Sequence, residues 1–272
     1  MIQSEIGFKE VGNGQPLIFI HGFCESKEMW KAFEEAFSPN YRVLCPDLPG
    51  FGESRWLEEE ISLELAAVLL EDWMEELGLV KPILIGHSLG GYVTLALAEL
   101  MGEKLGGLGL FHSTAFADDE EKIGMRNRTL TFVEKHGVDK FVSSFVPPLF
   151  PEHRREELKD KIDFAVELAH KTSYPGLMAF TKAMRDRKDR IDVLKNFQGP
   201  KMMIAGQADA AIKLEDSRKH EPIVDFYFEL PETGHMGMFE REEKTIEVVG
   251  KFLDRYCSPS VFSTEAKRSG EI

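Results

Sequence analysis

Three observations predict an α/β fold built on a doubly wound, mostly parallel central sheet. Short apolar runs alternate along the chain with segments of helical periodicity. The run Ile83-Leu84-Ile85 is apolar throughout rather than at every second residue, and runs such as 17–20 and 41–45 end on turn-forming residues. A strand covered by helices on both faces has no solvent side to keep polar, and strand–helix alternation returns the chain to a parallel neighbour.

Taken in order, the runs at 17–20 and 41–45 end at His21-Gly22 and Pro46-Asp47, and residues 26–37 between them read as a helix. From 62 to 77, Leu65, Leu69, Trp73 and Leu77 recur every four positions, behind Ser62 as N-cap and ahead of Gly78 as C-cap. That is an amphipathic helix with one face for the sheet. The run Ile83-Leu84-Ile85 leads directly into Gly86-His87-Ser88-Leu89-Gly90-Gly91. Leu89, Val93, Ala96, Leu97 and Leu100 then hold helical spacing over 89–101 without a proline. Strands at 108–111, 201–205 and 224–230 and a closing helix over 240–256 complete the alternation.

The interval 115–197 breaks the pattern, being helical with several prolines and no clear strand, and it reads as an insertion. The expected organisation is a core of 1–114 and 198–256, an inserted helical unit of 115–197, and a flexible tail, 257–272, rich in Ser, Lys and Glu. The insertion carries many large apolar side chains, among them Phe116, Phe132, Phe141, Phe145 and Phe180, suited to packing a small subdomain or lining a pocket.

Composition narrows the function. At 272 residues one domain is sufficient, and a formal net charge of -14 opposes nucleic acid and anionic membranes as partners. Cys24, Cys45 and Cys257 are odd in number, widely spaced and outside any Cys/His cluster, which argues against a disulfide framework and a zinc site. Residues 1–5 show neither a basic nor an apolar leader, and no run of about 18 apolar residues occurs. A soluble cytoplasmic protein is expected, with monomer and homodimer equally compatible.

The chemistry centres on Ser88. A Gly-x-Ser-x-Gly turn between strand and helix needs small residues two positions either side of the serine, and Gly86 and Gly90 supply them. A serine hydroxyl needs a base to become a nucleophile, and the base needs an acid to orient it. Active sites in parallel sheets gather at the carboxyl ends of strands, which favours His235, on the loop after strand 224–230, and Asp209, just after strand 201–205. Asp209 also suits a capping turn. Asp216, expected inside a helix, and Asp225, expected inside a strand, are weaker choices, and after strand 108–111 no carboxylate occurs before Asp118. The backbone N–H groups of Leu89, at a helix N-terminus, and of Phe23, after Ile20-His21-Gly22, are the candidate oxyanion donors. His21 is read as structural and His87 as a neighbour of the nucleophile.

Five motifs, in order across about 12–256, carry a resemblance: His21-Gly22-Phe23, the loop Pro46-Asp47-Leu48-Pro49-Gly50-Phe51-Gly52-Glu53-Ser54, Gly86 to Gly91, Gly206-Gln207-Ala208-Asp209, and Gly234-His235. The chain resembles the α/β-hydrolase fold family, in its cap-bearing branch of small esterases and lactonases. The resemblance implies Ser88, Asp209 and His235 as catalytic triad, a strained turn at Ser88, and 115–197 as a helical lid over the pocket. It makes the 47–54 loop a structural turn near the active-site mouth.

Three departures narrow the branch. Only about fifteen residues precede Leu17, where the family has two strands, so the first is expected to be missing. Serine rather than aspartate at the elbow disfavours haloalkane dehalogenases and epoxide hydrolases. Gly22-Phe23-Cys24-Glu25 lacks the glycine-rich stretch of the carbon–carbon bond hydrolases, and the elbow lacks the tryptophan of proline aminopeptidases.

The expected activity is hydrolysis of a small carboxylic ester with an apolar acyl or aryl group, through an acyl-enzyme on Ser88, with no metal or organic cofactor. The alternatives are the same triad acting on a lactone, thioester or carbon–carbon bond, and a hydrolase-like ligand receptor with slow chemistry.

Overall fold

A computed structural model describes residues 6–55 and 60–257. Its seven strands form one sheet: β1 (Phe8–Val11), β2 (Gln15–Ile20), β3 (Tyr41–Pro46), β4 (Ile83–His87), β5 (Gly107–Phe111), β6 (Lys201–Gly206) and β7 (Phe226–Leu230). Their order is β1-β3-β2-β4-β5-β6-β7, parallel throughout except where β1 runs antiparallel to β3. The central runs are sealed, with Leu17 to Ile20 and Ile83 to Ile85 at most 1% exposed, which is why they show no alternation.

Register decides where the chemistry can gather. Ile20 pairs with Gly86, His87 with Phe111, Phe111 with Ile204, and Gly206 with Leu230. The residues following β2, β4, β5, β6 and β7 therefore emerge along one edge.

Helices α1 (Lys31–Phe37), α2 (Leu63–Glu76) and α3 (Leu89–Met101) connect the first strands, and α11 (Glu242–Tyr256) closes the chain. The Ser62 hydroxyl accepts the Leu65 N–H at 3.0 Å, the N-cap expected of it. Helix α2 packs on α3 and α1 on α11, giving the sheet its helical cover. Between β5 and β6 lie α4 (Glu120–His136), α5 (Val138–Phe145), α6 (Lys159–Ala169), α7 (Tyr174–Arg185) and α8 (Ile191–Asn196), with no strand among them. This helical interval rests on the loops at the carboxyl edge. The rings of Phe145 and Phe141 meet Phe23 edge-on at 5.8 and 6.3 Å, the Ser173 hydroxyl donates to the Gly50 carbonyl at 2.7 Å, and the His235 N–H donates to the Leu149 carbonyl at 2.8 Å.

Several boundaries differ from the sequence reading. Strand β1 has no apolar run to announce it; its residues are half-buried to exposed and owe their conformation to pairing with β3. Among the described residues one strand, β1, precedes β2. Residues 26–37 open with a 3-10 turn, Lys27–Trp30, because Asp47 takes both the Lys27 N–H (2.7 Å) and its ammonium (2.6 Å) and pins that turn. The closing helix is two: α10 (Gly237–Glu240) and α11, broken at Arg241 (φ -140°, ψ 49°), and the break leaves Glu240 turned inward. Strand β7 begins at Phe226 rather than 224. Cys257, assigned to the tail, is fully buried; the remainder of that tail, 258–272, lies outside the described residues. All three cysteines are free and buried, and no helix among the described residues is long and apolar enough to cross a membrane.

Candidate active site

Ser88 is the single residue between β4 and α3, with φ 49° and ψ -113°, a conformation that costs a non-glycine residue on the order of 1–3 kcal/mol. Packing imposes it. A Cβ on Gly86 would stand 2.2 Å from the Gly90 carbonyl oxygen, and one on Gly90 would stand 2.2 Å from that of Ile20. Below the turn the Ser88 N–H donates to the Phe111 carbonyl (2.9 Å) and the Ser113 hydroxyl donates to the Ser88 carbonyl (2.8 Å). Of residues 82–98, Ser88 alone is not buried. A hydroxyl is thus held open at the end of a sealed strand.

The same close approach sets the N-terminus of α3 against the backbone of Ile20 and His21, just ahead of Phe23. Among the described residues neither the Leu89 nor the Phe23 N–H has an acceptor in the protein. For Leu89 this follows from its place in a first helical turn, whose amides have no intrahelical partner. The Phe23 loop is tight, with Cys24 at φ 59°.

Asp209 and His235 meet as expected. His235 Nδ1 lies 2.9 and 3.0 Å from the two Asp209 carboxylate oxygens, and Asp209 also accepts the N–H groups of Ala211 (2.8 Å) and Ile212 (2.9 Å). The carboxylate that meets His235 and the turn cap are therefore the same side chain. Burial alone would drive both groups toward neutrality, but each outweighs it for the other. His235 rises above the ordinary imidazole value, and Asp209 falls below the usual carboxylate range, helped by His112.

The other aspartates weighed from sequence are elsewhere. Asp216 sits in α9 (Leu214–Arg218) beside Lys219, Asp225 bonds Lys201 at the opposite edge of the sheet, and Asp118 pairs with Arg126 and Arg187. His21 is tied on both nitrogens, to the Gly22 carbonyl and the Leu48 N–H at 2.8 Å each, as a structural histidine should be.

Four residues were not legible as site components. His87 Nδ1 lies 3.0 Å from Glu25 Oε2, which also accepts the Gly22 N–H at 2.5 Å, while His87 Nε2 lies 2.9 Å from the His235 carbonyl oxygen. Both ring nitrogens face oxygen atoms, and the pair is a buried histidine–carboxylate clip joining the Phe23 loop, the Ser88 turn and the His235 loop. Glu240 seals that last loop from the other side, accepting N–H groups of Gly234 (2.9 and 3.0 Å) and Met236 (3.1 Å). The fourth, His112, adds a donor to Asp209, 3.2 Å from Oδ2. A glutamate ending the apolar run Met236-Gly237-Met238-Phe239 was the one sequence signal available; Glu25 and His112 carried none.

Among the described residues Ser88 and His235 make no direct hydrogen bond. The link between them runs through His87, whose ring centroid is 4.9 Å from that of His235. Ligand atoms of His112, Asp209 and His235 lie within 4.8 Å of one another, close enough to hold a metal ion, which would displace the protons both histidines donate to Asp209.

Residues 17–248 match the sequence model of the alpha/beta hydrolase family. The chain belongs to that family. A thermophilic esterase from Thermogutta terrifontis has the same fold with a TM-score of 0.88 and 28% identity, over 94% of this chain and 95% of that one. The 2-hydroxy-6-oxo-6-(2'-aminophenyl)hexa-2,4-dienoic acid hydrolase of Metapseudomonas resinovorans is 23% identical over 92% of this chain and 88% of its own length. The dihydrolipoyllysine-residue acetyltransferase component of an acetoin cleaving system from Pseudomonas putida is 27% identical over 89% of this chain, which spans 64% of that relative's length.

Proposed function

We propose that this alpha/beta hydrolase is a serine esterase that cleaves small carboxylic esters through an acyl-enzyme on Ser88. The observation that carries the reading is the Asp209–His235 pair at the edge where the strained, open Ser88 stands. In this reading His235 takes the Ser88 proton as the hydroxyl attacks the ester carbonyl. Asp209 holds His235 in the Nδ1–H tautomer and stabilises the imidazolium that forms. The Phe23 and Leu89 N–H groups receive the oxyanion, with the α3 dipole adding to the second. His235 then returns the proton to the leaving alcohol, and water activated by the same base releases the acid. Every developing charge meets a hydrogen bond, so the sequence of steps requires no metal or organic cofactor.

The interval 115–197 acts in this reading as the lid. Val146, Leu149 and Leu168 from that interval pack with Met236 and Phe239 beside the Phe23 loop around a void of about 10 Å³, so the preference for an apolar acyl or aryl group rests on the apolar side chains of the lid rather than on an open pocket there. The esterase activity of the Thermogutta relative supports the choice of ester, and three free buried thiols suit a reducing, cytoplasmic setting.

Short p-nitrophenyl esters test the reading. Wild-type turnover should fall at least about 10³-fold in Ser88→Ala, and a fluorophosphonate should label the wild type alone. Turnover that survives in Ser88→Ala removes Ser88 from the mechanism. A ligand-dependent rise in melting temperature without product would favour a receptor instead.

A further inference from the structure

His112 is the first residue after β5 and is built into the site in an uncommon way. Its φ is 47°, its N–H donates to the Ile204 carbonyl at 2.9 Å, and its side chain is fully enclosed. The ring stacks on Phe111 (centroids 5.0 Å, 28° between planes). Two glycines make room for it: a Cβ on Gly237 would stand 2.3 Å from its Nε2, and one on Gly206 2.9 Å from its Cε1. Nδ1 points at Asp209 Oδ2, while Nε2 is a buried atom without a partner among the described residues. The ring is a neutral, one-sided donor: Nδ1–H bonds the carboxylate, and the bare Nε2 lies against Gly237. An orphaned buried acceptor is costly, and the one hydrogen bond the ring makes is to Asp209 through its other nitrogen.

We infer that His112 is a positioning residue for the proposed esterase reaction, a neutral second donor that orients the Asp209 carboxylate and draws off part of its charge, thereby setting the basicity of His235. Burial pushes His112 down to about 4 against the pull of Asp209, so it stays neutral while His235 cycles. A charged His112 would compete with the His235 imidazolium for the same oxygens. The other titratable or charged groups facing the cluster are His87 at the end of β4, Glu25 after β2, Arg126 of α4 and Glu240 of α10.

Two substitutions separate positioning from packing. His112→Phe keeps a stacked ring and loses the donor; His112→Asn keeps an N–H near the Nδ1 position and suits the left-handed backbone. Losing one donor concentrates charge on Asp209 and strengthens its hold on the imidazolium. In His112→Phe the acid limb of kcat/KM on p-nitrophenyl acetate should therefore move upward by about half a unit to one unit, with kcat reduced roughly tenfold. His112→Asn should return the limb and most of kcat.

The inference rests on the esterase reading, so the His235 titration is also followed by NMR, through its Cε1 proton, in Ser88→Ala protein, which needs no substrate. A folded His112→Phe with both the limb and the NMR titration unmoved overturns the inference, as does a His112→Asn that shifts as far as His112→Phe. Absence of ester turnover in the wild type, with the NMR shift present, defeats the esterase reading while leaving the role of His112 toward His235 standing.

Discussion

Glu25 with His87 on one side of Ser88, and Asp209 with His235 on the other, are two buried carboxylate–histidine pairs of nearly equal spacing, 3.0 and 2.9 Å. They differ in the far ring nitrogen. His87 spends Nε2 on the His235 carbonyl, so its ring is consumed and holds three loops together. The hydrogen bonds of the His235 ring run through Nδ1 alone among the described residues, which leaves Nε2 without a partner there. The carboxylates differ too: Glu25 takes the Gly22 N–H on the oxygen it offers His87, whereas Asp209 is surrounded by two backbone amides and a second histidine. A buried imidazole tied at both nitrogens is a clamp, and one tied at a single nitrogen can be a base.

The largest expected effect would break that contrast outright. His235→Gln should lower kcat by about 10³- to 10⁴-fold with little change in unfolding midpoint, whereas kcat retained within tenfold would deny His235 its role. Next in size, Glu25→Ala leaves His87 Nδ1 and the Gly22 amide without their carboxylate partner. It should cost roughly 3 kcal/mol in urea denaturation and about tenfold in kcat through the loosened Phe23 loop. A Glu25→Ala protein of wild-type stability would show that the clip does not clamp.

The smallest effect sharpens the comparison through pH. His235 is raised above 6.5 by Asp209, and only its neutral form accepts a proton, so kcat/KM should fall as pH drops through that raised value. The same shift contributes stability that is complete below the unfolded histidine value and is lost as pH rises through the folded one. His112 runs the other way. Its folded value of about 4 lies below the unfolded 6.5, so between these limits the unfolded chain binds a proton the native state refuses, and stability declines as pH falls. Melting curves at pH 7 and 4.5 should show a smaller acid loss in His112→Asn than in the wild type; equal losses would contradict the assignment.

Strands and turns were legible where the physical signal is local. Runs 17–20, 83–85 and 202–205 are apolar because both faces are covered, and the Ser88 turn announces itself because Gly86 and Gly90 meet backbone within 2.2 Å. Strand β1 escaped because nothing in Phe8–Val11 prefers a strand until β3 lies beside it. The closing helix was read as continuous because its break serves Glu240, whose partners at 234 and 236 belong to another loop.

The sequence by itself determined the alternation of elements and the tight glycine-flanked turn at Ser88, since each depends on residues within a few positions of one another, and it brought Asp209 and His235 forward through the strands they follow. Tertiary structure alone decided which histidine is a clamp and which is free, and it supplied Asp209 with a second donor from His112, 97 positions away. Those outcomes depend on which ring nitrogen meets which oxygen across strand ends, and that geometry exists only once the register of the sheet has brought the ends of β2, β4, β5, β6 and β7 to one edge.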